Sequence, residues 1–339
     1  MRELLVKLLD GEALTAAEAE TAFGHIMAGE AETAAVAAFL TALRMRGPKP
    51  EEIAGGVRAL RRAMIVADLP GDRLVDTCGT GGGGLTTFNI STAAGLLAAA
   101  AGARVAKHGN RSFSSRCGSA DLLEALGVSV DVAPERLPRV LRETGFAFMF
   151  APRFHPAVRH VGPVRRVLGV ATIFNLLGPL ANPARVGRQV VGVSDPGLLW
   201  LMAEALRELG HERALVVHGE PGMDELSPVG ATLAVRLDRA ELEEVEIDPA
   251  EFGWEGLDVT ELRGEGPPEN AARVEAVLAG REEGAARAAV LLNAGAALWA
   301  GGEADGIAQG VERAREAIDD GRAGSILERL RELSEAEKG

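Results

Sequence analysis

Apolar positions in the first 70 residues recur at the three- and four-residue spacing of amphipathic helices. Thr15 and Glu18 form a capping box at the start of one such stretch, which continues with apolar residues at Phe23 and Ile26. Pro50 marks another start, because proline suits the first turn of a helix. Helices are therefore predicted from Thr15 to about 27, over about 32–45 and from Pro50 to about 64, and no strand is expected before residue 70.

The pattern changes after residue 71, where short β-branched and aromatic runs begin to alternate with alanine- and leucine-rich stretches. Such alternation is typical of βα units, whose strands are parallel and covered by helices. From about residue 270 to the end, helical spacing dominates again. The predicted strands cover 74–78, 103–109, 128–133, 146–152, 189–194, 213–219 and 231–237.

These patterns predict an α/β protein with a small all-helical N-terminal domain over 1–70 and a larger α/β domain over 71–339, whose mostly parallel central sheet is flanked by helices. The net charge of −13 makes sequence-independent nucleic-acid binding and attachment to anionic membranes poor candidates. No apolar run reaches the ~18 residues of a membrane span. Two cysteines without a CxxC motif, and no signal-peptide pattern at the start, favour a cytoplasmic protein.

A glycine-rich segment, GTGGGG at 79–84, follows the first predicted strand, and we call it the glycine loop. Closely spaced glycines let backbone N–H groups approach an anion, which favours a phosphate cradle. A dinucleotide site with Gly79, Gly81 and Gly84 as GxGxxG stays open, although the next strand ends with Lys107 instead of the acidic residue of that fold. A plain surface turn also stays open, whereas a P-loop is excluded because no GK[ST] follows.

Residues 107–121, KHGNRSFSSRCGSAD, form a second polar segment, which we call the serine loop. Lys107, Arg111 and Arg116 concentrate positive charge in an otherwise acidic chain, among hydroxyl and amide groups that donate hydrogen bonds. Both loops follow strands, so a parallel sheet brings them to its carboxyl edge, where ligands bind in such folds. An anionic ligand is therefore expected, and a solvated polar loop is the alternative.

The two loops resemble those of the anthranilate phosphoribosyltransferases. That family carries GTGGxG…TFNIST, matched at 79–92, and KHGNRSxSSxxGSAD, matched at 107–121, and further similar stretches lie at 155–183 and 222–228. The resemblance implies transfer of phosphoribose from phosphoribosyl pyrophosphate (PRPP) to the amino group of anthranilate, in tryptophan biosynthesis. It also implies Mg²⁺, a homodimer formed through the helical domain, and completion of that domain by a segment around 165–185.

The resemblance implies roles for individual residues at PRPP. Backbone amides of the glycine loop would contact pyrophosphate, Lys107 and the residues after it would cover PRPP, and Ser119 would hold the 5′-phosphate. The set implied is Gly79, Thr80, Gly81, Gly82, Gly83, Thr87, Asn89, Ile90, Ser91, Thr92, Lys107, His108, Gly109, Asn110, Arg111, Ser112, Phe113, Ser114, Ser115 and Ser119.

Ser91, Asp224 and Glu225 are implied as metal ligands, with two Mg²⁺ ions when PRPP is bound. Mg²⁺ takes one or two carboxylates plus phosphate oxygens, whereas an acidic pair in an ordinary loop is usually just solvated. Gly83 departs from the family, which has aspartate at this position, so metal handling is expected to differ. Ala171 also stands where the family has a larger residue, with consequences expected only for packing.

Anthranilate is implied beside Arg165, whose guanidinium can pair with both carboxylate oxygens, although the sequence alone also permits the adjacent Arg166. His108 would either orient the aromatic acid or make a structural hydrogen bond. No certain catalytic side chain is expected: Asn110, Arg165 and His108 position the substrates, and the residues implied at anthranilate are Gly79, Asn110, Arg165 and Gly178.

Two other functions remain as alternatives. A pyrimidine nucleoside phosphorylase shares the fold of this family, but the KHGNRS stretch is more similar to the anthranilate enzymes. A non-enzymatic nucleic-acid-binding protein built on the same fold would need a basic surface, which the net charge of −13 disfavours.

Overall fold

Four helices precede the first strand in the computed structural model, which describes residues 1–112 and 116–337. The capping box predicted at α2 is present, because Thr15 Oγ1 accepts from the Glu18 amide at 3.3 Å and Glu18 accepts from the Thr15 amide at 2.8 Å. The helices predicted before residue 70 are confirmed. Their bounds are α1 (Arg2–Leu9), α2 (Ala16–Ala28), α3 (Thr33–Arg46) and α4 (Pro50–Ala63).

The rest of the chain alternates strands and helices as predicted, and its last part is helical. The strands are β1 (Leu74–Gly79), β2 (Arg104–Gly109), β3 (Phe146–Phe150), β4 (Arg188–Gly192), β5 (Arg213–Gly219), β6 (Thr232–Asp238) and β7 (Glu241–Ile247). The helices are α5 (Ile90–Ala100), α6 (Ser119–Ala125), α7 (Leu137–Thr144), α8 (Ala151–Phe154), α9 (Gly162–Leu168), α10 (Phe174–Leu180), α11 (Leu199–Glu208), α12 (Pro267–Leu278), α13 (Gly284–Gly301), α14 (Ile307–Asp319) and α15 (Arg322–Ala336).

The seven strands form one sheet in the order β3-β2-β1-β4-β5-β6-β7. Strands β1 to β5 run parallel to one another. Strand β6 is antiparallel to β5, and β7 is antiparallel to β6. The chain builds outward from β1 in one direction through β2 and β3, then returns to the other side of β1 with β4. The strand order reverses at β1, and the crevice outside the carboxyl end of such a strand is where ligands bind in open α/β sheets.

The strand prediction was wrong at two places. Residues 128–133 form no strand: Val128, Val130 and Val132 are buried in the hydrophobic cluster that also contains α7 residues, and the sheet ends at β3. Strand β7 was missed because ELEEVEI is mostly acidic. It lies at the sheet edge, where only Ile247 is buried, and charged edge strands resist pairing with other chains.

The two faces of the sheet belong to different hydrophobic clusters. Val190 packs with α5 and α13, whereas the next residue, Val191, packs in a cluster with Phe23, Phe39 and Leu177 from α2, α3 and α10. The segment around α10 therefore shares its core with the N-terminal helices. The exact domain boundary at residue 70 stays a prediction. Among the helices of the described residues, none is both long and apolar enough to cross a bilayer.

Candidate functional site

The glycine loop begins at the carboxyl end of β1 and runs beside the loop at 222–225, which we call the acidic loop. The Thr80 amide donates to the Gly192 carbonyl at 2.9 Å, and the Gly81 amide donates to Asp224 Oδ2 at 2.9 Å. Gly81 and Gly82 both have positive φ, 67° and 82°, a conformation that favours glycine. The loop therefore curves around the carboxyl end of β1 at the strand-order reversal, although its Thr80 and Gly81 amides already donate to partners within the protein.

The acidic loop brings a half-buried carboxylate, Asp224, and a buried one, Glu225, to the glycine loop. Burial raises the pKa of Asp224, against the Gly81 hydrogen bond, which lowers it. Burial and the neighbouring Asp224 raise the pKa of Glu225, whose oxygens accept from Thr87 Oγ1 at 3.3 and 3.4 Å. Two carboxylates held together away from solvent are unfavourable as anions, so a cation between them would restore their charged forms.

Ser91, Asp224 and Glu225, the three predicted metal ligands, line one small cavity of about 10 Å³ with Thr77 and Asn293. Their donors are all oxygens, which suits a hard cation such as Mg²⁺. Within 1–112 and 116–337, no group of three or more His, Cys, Asp or Glu side chains could hold a metal by itself. A chain that offers two carboxylates and a hydroxyl fits a Mg²⁺ that completes its shell with phosphate oxygens and water.

Gly192, at the end of β4, lets the acidic loop approach the sheet. A Cβ at this position would lie 1.5 Å from the Asp224 carbonyl oxygen, so any other residue displaces the loop. Gly192→Ala is expected to lower the free energy of unfolding by ~1–3 kcal/mol, the usual cost of overpacking, and to raise the Mg²⁺ concentration needed for half-maximal activity. Gly187→Ala is the matched control, since its Cβ would meet nothing within 4 Å. Equal Mg²⁺ titrations for the two variants would contradict the assignment.

Gly83 also lies against the acidic loop. Its Cβ would be 2.8 Å from the Gly222 carbonyl oxygen, which accepts from the Gly84 amide at 2.9 Å, and 3.7 Å from Asp224 Oδ1. An aspartate here would shift the loop and place a third carboxylate beside the other two.

Gly83→Asp is therefore expected to make activity depend more steeply on Mg²⁺ and to increase inhibition at high Mg²⁺, because the added carboxylate repels PRPP without metal and attracts a further ion with it. Activity followed at fixed PRPP from micromolar to ten-millimolar Mg²⁺ provides the measurement. Superimposable profiles for wild type and variant would mean that position 83 does not govern metal handling.

Lys107 places a buried amine beside the metal-ligand candidates. Its side chain is 2% exposed, and Nζ donates to the Thr77 carbonyl and lies 3.5 Å from Ser91 Oγ. Burial lowers the pKa of Lys107, whereas the charges of Asp76 and Glu225 raise it. The amine thus lies next to one of the three predicted metal ligands.

The residues between the glycine loop and α5 divide into polar groups at the site and groups held in the core. Thr87 contacts Glu225, and Asn89 donates to the Cys117 carbonyl at 2.9 Å while accepting from Asn270 at 3.1 Å, so it links the serine loop to α12. The Ile90 side chain is fully buried. Thr92 is also buried, and its hydroxyl has no hydrogen-bond partner within the described part of the chain.

Hydrogen bonds to two of its own side chains, those of Asp121 and Ser119, stabilise the serine loop. Asp121 accepts from the amides of Ser112 and Gly118 at 3.0 and 2.8 Å, and Ser119 Oγ accepts from the Asn110 amide at 3.2 Å. Gly109 is packed against Ser119. Phe113, Ser114 and Ser115 lie outside the described residues, and their predicted PRPP contacts stay predictions.

Arg111 is already paired in this structure. Its guanidinium donates to Asp121 at 3.1 Å and to Glu124 at 2.6 and 2.7 Å, and lies over the Phe150 ring. Two carboxylates therefore compete with any phosphate for this side chain, and the predicted PRPP contact of Arg111 stays a prediction.

His108 lies against a second histidine that the sequence did not single out. The rings of His108 and His155 are 5.0 Å apart between centroids. Burial lowers the pKa of His108 to about 3 and that of His155 to about 4, against hydrogen bonds to the Gly178 and Ala181 backbones. Both rings are therefore neutral at pH 7, and His108 lies next to Gly178, a predicted anthranilate residue.

Arg165 lies on the same wall of the site. Its guanidinium stacks on Phe174 at 5.5 Å, and Phe174 and Gly178 are four residues apart on α10 and so share a face. Burial lowers the pKa of Arg165, and within the described residues no carboxylate pairs with it. Arg166 is exposed. An unpaired, half-buried guanidinium next to an aromatic ring matches a flat aromatic acid.

Asp76 and Asn182 were missed by sequence analysis, although both are fully buried beside the site. Asp76 accepts from the His108 amide and from the Asn182 side chain. The one feature that could have marked Asp76 is a carboxylate within an otherwise apolar strand.

Family models match both parts of the chain. The description "Glycosyl transferase family, helical bundle domain" matches residues 2–64, and "Glycosyl transferase family, a/b domain" matches residues 71–324. The anthranilate phosphoribosyltransferase of Rubrobacter xylanophilus is 48% identical over 334 residues, covering 98% of this chain and 97% of that protein. The enzyme of Thermomicrobium roseum is 50% identical over 337 residues, with coverages of 98% and 97%.

Solved structures give the same result. Anthranilate phosphoribosyltransferase from Thermus thermophilus is 46% identical, with a TM-score of 0.92 over 98% of this chain and 99% of that chain. The Saccharomyces cerevisiae enzyme in complex with PRPP and Mg is 29% identical, with a TM-score of 0.88 over 98% and 97%. In sequence along nearly its whole length, and in fold, the chain belongs to the anthranilate phosphoribosyltransferase family.

Proposed function

We propose that this protein transfers the 5-phosphoribosyl group from PRPP to the amino group of anthranilate, giving N-(5-phosphoribosyl)anthranilate and pyrophosphate, as a step of tryptophan biosynthesis. The observation that carries the proposal is the meeting of the glycine loop, the buried Lys107 amine and the Asp224–Glu225 pair around Ser91, at the strand-order reversal. A cationic amine, a glycine-rich main chain suited to phosphate and oxygen ligands for a metal ion lie together there, which is the combination that a metal-bound pyrophosphate requires.

The glycine-loop amides and Lys107 hold the phosphates of PRPP, and Ser119 holds the 5′-phosphate. When bound, Mg²⁺, with two ions expected beside PRPP, would supply charge neutralisation for the pyrophosphate leaving group. Asp224, Glu225 and Ser91 provide its protein ligands. The yeast enzyme has been solved with PRPP and Mg and with 4-fluoroanthranilate, which supports both ligands for this chain.

Anthranilate lies between the two halves of the site. Arg165 pairs with its carboxylate, Asn110 and His108 orient the ring, and the open main chain at Gly178 forms the wall. The aniline nitrogen is neutral at pH 7 and carries a lone pair, so it attacks C1 of the ribose as pyrophosphate leaves, and the cationic nitrogen so formed then loses its proton to water or to the departing pyrophosphate. The sugar develops oxocarbenium character, as at other glycosidic centres. Positioning and charge stabilisation supply the acceleration, and no strong general base is required.

The decrease of anthranilate fluorescence on adding protein, PRPP and Mg²⁺ tests the reaction. We expect the decrease to require all three, to stop when EDTA removes the metal, and to resume when Mg²⁺ is restored. Phosphorolysis of thymidine or uridine is measured in parallel. Turnover of a nucleoside without turnover of anthranilate would identify a pyrimidine nucleoside phosphorylase and refute the proposal.

A homodimer formed through the helical region is the second part of the proposal. Leu9 at the end of α1 is 69% exposed, Met45 near the end of α3 is 83% exposed and Val167 on α9 is 88% exposed. Exposed apolar side chains on helices that contact one another favour an interface with a second copy. Light scattering should give twice the mass of the chain. The mass of a single chain at micromolar concentration would exclude a stable dimer.

A further inference from the structure

The central strand of the sheet is joined to β2 by side chains near the site. Direct pairing of β1 with β2 is confined to Leu74 with Arg104 and Val75 with Val105. Beyond that point, the Ala106 carbonyl accepts from Asn182 Nδ2 at 2.8 Å and the His108 amide donates to Asp76 Oδ1 at 3.2 Å. Two buried side chains thus replace β1 as the bonding partner on one side of β2 where the strand reaches the site, while the other side of β2 stays paired with β3 from Val105 to Gly109.

Asp76 and Asn182 also hold each other. Asn182 Nδ2 donates to Asp76 Oδ2 at 2.7 Å, and Asn182 Oδ1 accepts from the Ala184 amide at 2.8 Å. The Ala184 bond fixes which end of the Asn182 amide faces Asp76, so Asp76 must accept on both oxygens. Both side chains are fully buried, and a buried acceptor that loses its donor costs free energy.

Lys107 lies between the two anchored groups. Its main chain is flanked by the Ala106 carbonyl and the His108 amide, and the serine loop continues from Gly109. A displacement of β2 at either bond would move the Lys107 amine relative to Ser91, which is 3.5 Å away. The carboxylate of Asp76 additionally favours the charged form of this buried amine.

We propose that Asp76 and Asn182 are positioning residues for PRPP: by holding the β2 main chain on both sides of Lys107, they fix the amine and the start of the serine loop where the phosphates bind. The inference rests on the proposed function for its ligand. Neither side chain needs to touch PRPP. Anthranilate also contacts His108 and Asn110 on the anchored segment, but the partner of its carboxylate, Arg165, lies on α9 outside it, so the smaller effect is expected on anthranilate.

Asp76→Asn tests the proposal with little change in shape. The new amide group presents a donor to either the Asn182 amide or the His108 N–H, so one of the two bonds is lost. We expect the KM for PRPP to rise about tenfold or more, the magnitude of one lost hydrogen bond to a charged group, and the KM for anthranilate to rise by a smaller factor, since Arg165 on α9 still pairs with its carboxylate. Hydrogen exchange of the backbone over 106–112 should accelerate.

Glu52→Gln is the matched control. Glu52 is another fully buried carboxylate that accepts from two backbone amides, those of Leu14 and Lys49, each at 2.8 Å, and it also pairs with Arg46, but it lies on α4 in the helical region. This variant should lose stability without a selective change in the KM for PRPP. The comparison separates positioning from a general loss of folded protein.

Asn182→Ala provides the second variant should Asp76→Asn fail to fold. It should raise the KM for PRPP selectively, by less than Asp76→Asn, and accelerate exchange over the same segment. An unchanged KM for PRPP in a folded variant, or equal increases for both substrates, would overturn the inference. If the wild type does not react anthranilate with PRPP, the proposed function is wrong. The anchoring is tested separately by hydrogen exchange: an unchanged exchange rate of the backbone amides over 106–112 in the variants would refute it.

Discussion

Replacing Lys107 by methionine is expected to raise the KM for PRPP by ~30-fold to several thousand-fold, corresponding to the ~2–5 kcal/mol that truncation of one partner of a buried charge pair costs. Methionine fills a similar volume, but it leaves the Thr77 carbonyl without its donor and removes the cation next to Ser91. Calorimetric titration with PRPP and steady-state kinetics measure the effect.

Lys49→Met is the control for Lys107→Met, because Lys49 is exposed at the start of α4, away from the site. Ser119→Ala should act in the same direction as Lys107→Met but more weakly, since it removes one hydroxyl and no charge. PRPP affinity at the wild-type level in both Lys107→Met and Ser119→Ala would remove this segment from the PRPP site.

Arg165→Ala should impair the use of anthranilate by a comparable factor, with the KM for PRPP changed little. Its guanidinium is half-buried, stacked on Phe174 and without a carboxylate partner in the described chain, so the anthranilate carboxylate would be its counter-ion. Losing that pair leaves a desolvated substrate carboxylate, at a cost of ~2–5 kcal/mol. Kinetics with each substrate varied in turn separate the two effects.

Arg166→Ala is the control for Arg165→Ala, since the neighbouring arginine is exposed and the sequence alone permitted either. It should leave both KM values near those of the wild type. The assignment of Arg165 is refuted if its alanine variant has an unchanged kcat/KM for anthranilate, or if Arg166→Ala shows the larger loss.

Local chemistry was sufficient for much of the fold. The Thr15 capping box and Pro50 located helix starts because their hydrogen bonds and dihedral angles involve only a few neighbouring residues. The strand predictions failed where the tertiary environment of a segment determines whether it joins the sheet. Residues 128–133 alternate like a strand, but their valines are buried in a hydrophobic cluster without joining the sheet, which ends at β3. β7 is too acidic for a core strand and forms because β6 offers an edge.

The same division applies to the site. The spacing of the glycine and serine loops after two strands was enough to predict an anionic ligand at one sheet edge, because parallel strands end on the same side. The stretches at 155–183 and 222–228, which are distant in the chain, were assigned to the site only through the family resemblance. Only the folded chain shows that Asp224 lies 2.9 Å from the Gly81 amide, although 143 residues separate them.

By itself, the sequence determined the helical beginning, the alternating strands and helices, the two substrate loops and the family, since these depend on local propensity and on motifs of adjacent residues. Tertiary structure alone decided which strands are neighbours, that Arg165 is stacked and unpaired, that Gly192 admits the acidic loop, and that Asp76 and Asn182 anchor β2. The physical reason is that burial, hydrogen-bond partners and charge pairing are set by residues far apart in the chain, which no local pattern specifies.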